Sequence, residues 1–446
     1  MAGIGLLRRL GWASVGSILL GLALVPGFGQ DWFSTGINLG APKIRLAVSP
    51  FQPVTPDPAL ANLTTEFNQV LWNDLDESGI VELVSKSDYP VKLPRDPEEV
   101  SFKAWSDPPA AATMLAFGKA ELLNGNFVPT ARLDDVHNTA NPSVLAKRYV
   151  ARPDEASARA AAHRFANEIV QALGGGLPGI ALSRLAFVSN RTGRSEIWIM
   201  DFDGYGQRAI TNFGSLSLTP RWSPDDTRIA YTSYASGNPD IYIFSLETFR
   251  RIPFPMFRGL NTTPAWAPDG KRMAFCSSMS GDPEIYVSDV NGGNLQRLTF
   301  SPGVDISPVW NPKTGNDIAF VSDRSGSPQI YIMSSVGTNL RRLITAGGDA
   351  SSPSWSPNGL FIAFSWRVTD TGTYDIYVIE IASGRTIQLT HDAGRNEHPY
   401  WSPDGRHLVF ESNRSGPKQV WTMLADGSNP RQLTTQGENW NPSWSN

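Results

Sequence analysis

The chain has 446 residues, with 38 basic and 42 acidic side chains, a formal net charge of −4 and one Cys. That length points to two or three domains, and a hydrophobic fraction of 41% excludes a wholly disordered chain. No basic block supplies the footprint that nucleic-acid binding needs. A lone Cys cannot form an internal disulfide, and no Cys/His cluster has zinc spacing.

Residues 1–29 read as a secretory signal. Arg8 and Arg9 form the positive region, residues 10–25 are an apolar run broken by Gly11, Gly16 and Gly21, and Gly27 and Gly29 suit the −3 and −1 cleavage positions. The run is shorter than the ~20 residues of a membrane span. Ordinary export is the expectation, an uncleaved anchor the competing one. Leu10-Gly11 after the two Arg fits a twin-arginine signal poorly. Removing these residues deletes two Arg and takes the charge to −6. No later stretch reaches spanning length, so no membrane span is expected in the mature chain.

Residues 30–43 form an N-terminal extension, and residues 44–173 mix strand and helix signals. Residues 44–48 read as a strand ending at Pro50. Pro58 opens a helix with Leu60, Leu63, Phe67, Val70, Leu71 and Leu75 on one face, ended by Gly79. A second strand follows at 80–84, and residues 114–118 and 127–133 pair as a hairpin around Asn124-Gly125-Asn126. A strand at 145–150 then precedes an Ala-rich helix over 154–173, capped by Asp154 and stopped by Gly174-Gly175-Gly176. This is a small α/β domain. Residues 174–183 are the linker.

From residue 184 to 446 the chain repeats. Trp222, Trp266, Trp310, Trp355, Trp401 and Trp444 each stand two residues after a Pro, at intervals of 44, 44, 45, 46 and 43. Each of the first five is followed by a second strand, such as 228–232 or 407–410, and a third such as 240–243 or 284–287. The fourth ends in Leu298-Thr299, Leu389-Thr390 or an equivalent. Four short strands every ~45 residues, punctuated by Asp-Gly turns, read as propeller blades. The 40 Gly and 34 Pro, roughly a sixth of the chain against ~12% on average, are largely this punctuation. Before Pro220 lie strands two to four of a blade that lacks its first, and the segment at Trp444 is a first strand alone. Together they complete a sixth blade. The fold class expected is a small α/β domain followed by an all-β six-bladed β-propeller closed by the C-terminal strand, which hides sheet edges. Pro is tolerated in the first strand because its channel-side edge has no neighbour, and the Trp covers apolar area between blades. These six Trp are structural.

Catalytic chemistry is not apparent. No Gly-x-Ser-x-Gly elbow occurs, the five His residues (137, 163, 391, 398 and 407) form no metal motif, and no phosphate loop follows a strand. His163 reads as a surface or packing residue. Asp201-Phe202-Asp203-Gly204 and Asp289-Val290-Asn291-Gly292 begin like calcium loops, but Asn212 and Phe300 stand where the bidentate Glu would be. They read as turns, and Cys276 as a buried hydrophobe. No catalytic residue, cofactor or metal is expected. What remains is a surface: the fourth-to-first connections (212–219, 257–263, 301–307, 346–352, 392–398, 436–441) and the second-to-third connections (189–191, 322–324, 412–414) ring one mouth of the channel. A polar rim with apolar anchors such as Leu260, Ile306 and Trp440 suits recognition of another protein's loop or terminus.

The export signal, the α/β domain, six Pro-x-Trp blades with Trp401-Ser402-Pro403-Asp404-Gly405, Ala47-Val48-Ser49-Pro50-Phe51 and Leu115-Ala116-Phe117-Gly118 together resemble the TolB family, the periplasmic propellers of the Tol–Pal system. The resemblance implies a non-enzymatic periplasmic scaffold whose mouth binds Pal, the peptidoglycan-associated lipoprotein, in support of outer-membrane integrity and cell division. It implies Pal contacts at Leu260, Asn261, Thr262, Thr263, Asp305, Ile306 and Ser307; the reading of the mouth adds Glu397, His398 and Trp440. It also implies a TolA-like inner-membrane partner for the N-terminal extension, although Gln30-Asp31-Trp32-Phe33-Ser34-Thr35-Gly36 lacks the alternating charged and branched residues typical there. The alternatives are an exported propeller hydrolase using Asp305, Asp349, Asp392 or Glu397, and a glycan-binding propeller using Trp440 and Tyr400.

Overall fold

The computed structural model describes residues 43–370 and 372–446. The expected signal and all but the last residue of the extension lie outside the described residues.

Period-two alternation builds the first domain. Leu46, Val48, Met114 and Ala116 point to one side of the sheet, against helices Pro58–Glu77 and Glu155–Leu173. Ala47, Leu115 and Phe117 point to the other, against Val84, Trp105 and Val136. The strands run in the order Val81–Leu83, Ile44–Val48, Met114–Leu123, Asn126–Asp135, Ser143–Arg148; the first three are parallel and the rest antiparallel. The last strand begins two residues earlier than expected. The short helix Phe102–Ser106, which buries Trp105, escapes sequence reading because five residues hold no periodicity. Asp57 caps the first long helix, accepting from the Ala59 and Leu60 amides at 2.7 and 3.1 Å, and Asp154 caps the second through Ser157. Gly118 is required by close approach: a Cβ there would lie 2.1 Å from the Thr130 carbonyl oxygen.

The remainder is a six-bladed propeller. Five sheets follow in chain order, opening with Ser217–Trp222, Asn261–Trp266, Asp305–Trp310, Asp349–Trp355 and Asn396–Trp401. In the sixth, Asn439–Trp444 pairs antiparallel with Arg184–Ser189, so the two ends of the repeat share one blade, as the strand arithmetic required. The Pro-x-Trp indoles join neighbouring blades: Trp266, Trp310 and Trp355 donate to the carbonyls of Arg221, Ala265 and Val309 in the preceding blade at 3.1, 3.1 and 3.2 Å. Arg228 and Arg272 cover the outer faces of Trp266 and Trp310 at 4.7 and 4.9 Å. Trp222 and Trp401 are equally buried but have no partner for the indole N–H among the described residues.

Each first strand carries a β-bulge that the sequence reading did not foresee. The residue before the Pro (Thr219, Thr263, Ser307, Ser352, His398 and Asn441) is left-handed, with φ between 46° and 54°. The pairing register with the second strand shifts across each of these residues, so three first-strand residues span what two span opposite.

The two domains share one core. Phe67, Phe165 and Ile169 belong to the same cluster as Leu185, Phe202, Val420 and Trp444. Across the junction His407 Nε2 lies 2.7 Å from the Glu77 carbonyl, and Arg159 bridges Glu66 of the first domain and Asp203 of the propeller. His163, expected at the surface or in packing, is buried at this junction with its Nδ1 2.7 Å from Asp74. Burial pushes the Asp74 carboxyl up to about 6 against the pull of that imidazole.

Candidate protein-interaction face

The first strand of every blade starts, and the second ends, at the mouth opposite the α/β domain. The first residue of the first strand is a structural position. Asn261 is fully buried: its amide donates to Asp240 at 3.0 Å and to the Phe257 carbonyl at 2.7 Å, and its oxygen accepts from Ser277. Asp305 is equally buried and takes Arg324 Nη2 at 2.6 Å. Burial pushes the Asp305 carboxyl upward against that guanidinium. The expectation that these two side chains contact a partner is therefore corrected: neither has accessible surface, because each ties its blade together.

The same economy governs the second-to-third turns. Arg191, Arg324 and Arg414 each fold back so that Nε donates to the Ser two residues earlier, at 2.9 Å in all three. Their Nη2 atoms reach Asn439, Asp305 and Asn396, and their planes cover Trp198, Tyr331 and Trp421. A Ser-x-Arg motif at the end of the second strand is the signal for this clamp.

Beyond the first residue the strand turns outward. Leu260, Thr262, Thr263, Ile306, Ser307, His398 and Trp440 are all half-buried at the mouth. The bulge amides are held by the preceding blade: Thr263 N–H donates to Thr232 Oγ1 (3.1 Å), Ser307 N–H to Thr263 Oγ1 (3.3 Å), His398 N–H to Ser365 Oγ (3.0 Å) and Asn441 N–H to Glu411 Oε2 (2.9 Å). This linkage fixes the rim before any partner arrives.

One sector is charged. Glu411 is buried, with Lys418 Nζ at 2.7 Å and His398 Nδ1 at 3.1 Å. Burial alone would raise its carboxyl, but His398 and Lys418 outweigh that and hold it at about 2. Glu397 pairs with Arg395 beside it. The exposed apolar groups lie elsewhere on the face: Phe213, Leu216 and Tyr234 in the first blade's sector, and Phe300 (75% exposed) and Val304 before Asp305. The sequence reading placed Phe213, Leu216 and Val304 in connections at the mouth but named none of the five as an apolar anchor. Their type was visible, but nothing in the repeat shows that they escape the core.

The acids considered for hydrolysis do not converge. Asp305, Asp349 and Glu397 are each committed to their own Arg, at 324, 367 and 395, and Asp392 stands exposed in a left-handed turn. Tyr400, considered as a mouth platform with Trp440, sits beyond the bulge and lines the far end of the channel.

Fold and face define a class: an α/β domain packed against one end of a closed six-bladed propeller, whose other end presents a rigid rim with exposed apolar groups. The family model of the TolB amino-terminal domain matches residues 38–141, and that of the TolB beta propeller domain matches residues 173–370 and 345–446. The chain belongs to the TolB family. It is 36% identical over 186 residues to the Tol-Pal system protein TolB of Desulfosudis oleivorans (41% of each chain), and 35% identical over 191 residues to the protein TolB homolog of Chlorobium chlorochromatii (42% of this chain, 40% of that one). These alignments span about two fifths of the relatives' length. The crystal structure of TolB from Acinetobacter baumannii superposes with a TM-score of 0.78 at 28% identity, covering 91% of this chain and 97% of that one.

Proposed function

We propose that this chain is a non-enzymatic periplasmic scaffold of a Tol–Pal envelope system, and that its mouth holds a Pal-like peptidoglycan-associated lipoprotein in support of outer-membrane integrity and cell division. The observation that carries this reading is the mouth itself: half-buried Thr262, Ile306, His398 and Trp440 on first strands whose bulges are fixed by inter-blade hydrogen bonds, with half-buried Leu260 just before one of these strands and exposed Phe300 and Val304 flanking them. Preorganised polar groups around apolar anchors favour binding a loop or terminus over turning over a substrate. A propeller mouth offers the ~800 Å² per partner of a standard interface. The pairing of Asp305, Asp349 and Glu397 each with its own Arg supports the non-enzymatic reading. No helix among the described residues is long and apolar enough to cross a membrane; export with cleavage of residues 1–29 is part of the proposal. The N-terminal extension is the segment proposed to engage a TolA-like partner.

The test is a pull-down with the cognate lipoprotein, lacking its lipid anchor, on the wild type and on Thr262→Arg/Ile306→Arg. Two long charges set into the rim are expected to weaken capture at least about tenfold without lowering the melting temperature. Undiminished capture by the double variant, or turnover of a peptide or glycan by the wild type, would overturn the reading.

A further inference from the structure

One contact recurs at the seams between blades. The amide of the residue two before each bulge donates to the carbonyl just ahead of the preceding blade's third strand, as Asn261 does to Pro239 and Asp305 to Pro283, at 2.8 and 2.9 Å. This sets the first-strand residue beside the residue that opens that third strand. Where the first is Asn, its side-chain amide donates across the seam: Asn261 Nδ2 to Asp240 at 3.0 Å, Asn396 Nδ2 to Asp375 at 3.0 Å, and Asn439 Nδ2 to Gln419 at 2.8 Å. Two other seams set Ser217 beside Glu196 and Ala350 beside Gln329. Among the described residues, only the seam of the second and third blades sets acid against acid, Asp305 beside Glu284.

The Arg clamp fixes which oxygen of Asp305 faces the seam. Arg414 and Arg191 donate to Oδ1 of Asn396 and Asn439 at 2.9 Å, and Arg324 donates to Oδ2 of Asp305 at 2.6 Å. Asp305 Oδ1 therefore stands where these Asn residues carry their N–H donors. It is buried and has no hydrogen-bond partner among the described residues. Glu284, also fully buried, takes Arg297 at 2.7 Å, the Ser301 amide at 2.8 Å and the single proton of the Thr299 hydroxyl. Of the other groups around the pair, burial pushes the Cys276 thiol up to about 12, Asp323 holds the Val304 amide at 2.7 Å, and Asp282 is exposed. Burial raises the Asp305 carboxyl, and its contact with Glu284 adds to the rise while Arg324 opposes it. A proton on Oδ1 donates to Glu284 as the Asn amides do in their seams; without it two carboxylates meet in a dry seam. We propose that a proton held between Asp305 and Glu284 bridges the second and third blades in mild acid, and that its loss as the pH rises loosens this sector of the rim.

The strand that Asp305 opens carries Ile306 and Ser307 to the mouth, but the inference requires no partner. A proton bound more tightly in the folded chain than in the unfolded one stabilises fully below the ordinary carboxylate value of ~3.9 and ceases to as the pH rises through the folded value. Asp305→Asn installs the amide of three other seams. Wild type and variant are expected to unfold alike at pH 4. At pH 8 the wild type should be the weaker, with an unfolding constant about tenfold above the variant's, read by denaturant titration. The Asp305 and Ser307 amides both donate to the second blade. At pH 8 the amides of residues 305 and 307 should exchange with deuterium about tenfold faster in the wild type than in Asp305→Asn, while the Asn261 and Thr263 amides of the neighbouring seam exchange alike in both. Glu284→Gln, which also puts an amide across from a carboxyl, should remove the same pH dependence and serves if Asp305→Asn folds poorly. A difference between wild type and variant that stays constant from pH 4 to 8, an Asp305→Asn chain less stable than the wild type at pH 8, or equal exchange of the residue 305 and 307 amides would overturn the proposal. Neither measurement involves the lipoprotein, so this failure and a failure of the mouth reading are told apart.

Discussion

Glu411 shows how one side chain ties chemistry to stability at the rim. Its carboxylate receives Lys418, faces His398 and accepts the Asn441 amide from the next blade. Its folded pKa, about 2, lies below the ordinary 4.5, so the protein gains stability from it above that ordinary value. The gain disappears as the pH falls from about 4.5 towards 2. Glu411→Gln is expected to lower stability at neutral pH by roughly 2 kcal/mol, the low side for a broken buried pair because Lys418 keeps contact with solvent. Denaturant titrations at pH 7 and pH 3 check this: the difference between wild type and variant should shrink in acid, and a constant difference would show that the charge is irrelevant. Nothing in the sequence points to Glu411. A Glu in a second strand, flanked by Phe410 and Ser412, gives no sign that a His from its own blade's first strand and a Lys just before its third strand turn towards it.

Among the elements, the first strand of each blade decides most. Its Pro-x-Trp pattern was legible because the period is long and the residues are rare, and the role read for Trp, covering area between blades, is the one it plays. The bulge one residue earlier was not legible, since Thr, Ser, His and Asn share no feature that announces a positive φ. It arises because the strand must aim its early side chains at the rim and still return Pro and Trp to the inter-blade seam. Trp310 tests the seam. Trp310→Phe removes the indole bond to the Ala265 carbonyl while keeping most of the ring, and should cost about 1–2 kcal/mol. Trp310→Ala also opens a cavity and should cost about 3–5 kcal/mol. Equal losses in the two variants, read by chemical denaturation, would show that packing contributes nothing beyond the hydrogen bond.

For the whole molecule, closure is the controlling feature. Asn439–Trp444 covers the edge of Arg184–Ser189, and the Trp444 indole donates to Ser183 Oγ at 2.6 Å, next to the cluster that joins the two domains. Deleting residues 439–446 should expose that edge and remove Trp444 from the shared core. The expected result is a broadened, less cooperative unfolding transition and a tendency to self-associate, read by calorimetry and size-exclusion chromatography. A monomer with an unchanged transition would show that the ring does not need its closing strand.

The fold was written in the sequence to an unusual depth. A repeat states its pattern six times, and the incomplete units at its two ends could be added to find the sixth blade. Composition alone pointed that way, since the Gly and Pro excess is the punctuation of the ring. Tertiary structure alone decided which rim residues face outward: Asn261 and Asp305 stand beside Thr262 and Ile306 in the chain but turn inwards to hold their blades. It also set Tyr400 at the far end of the channel, although Tyr400 is two residues from His398 at the mouth. The physical reason is common to both. Strand alternation and the bulge fix a side chain's direction, and which direction meets solvent depends on a ring that exists only once all six blades have closed.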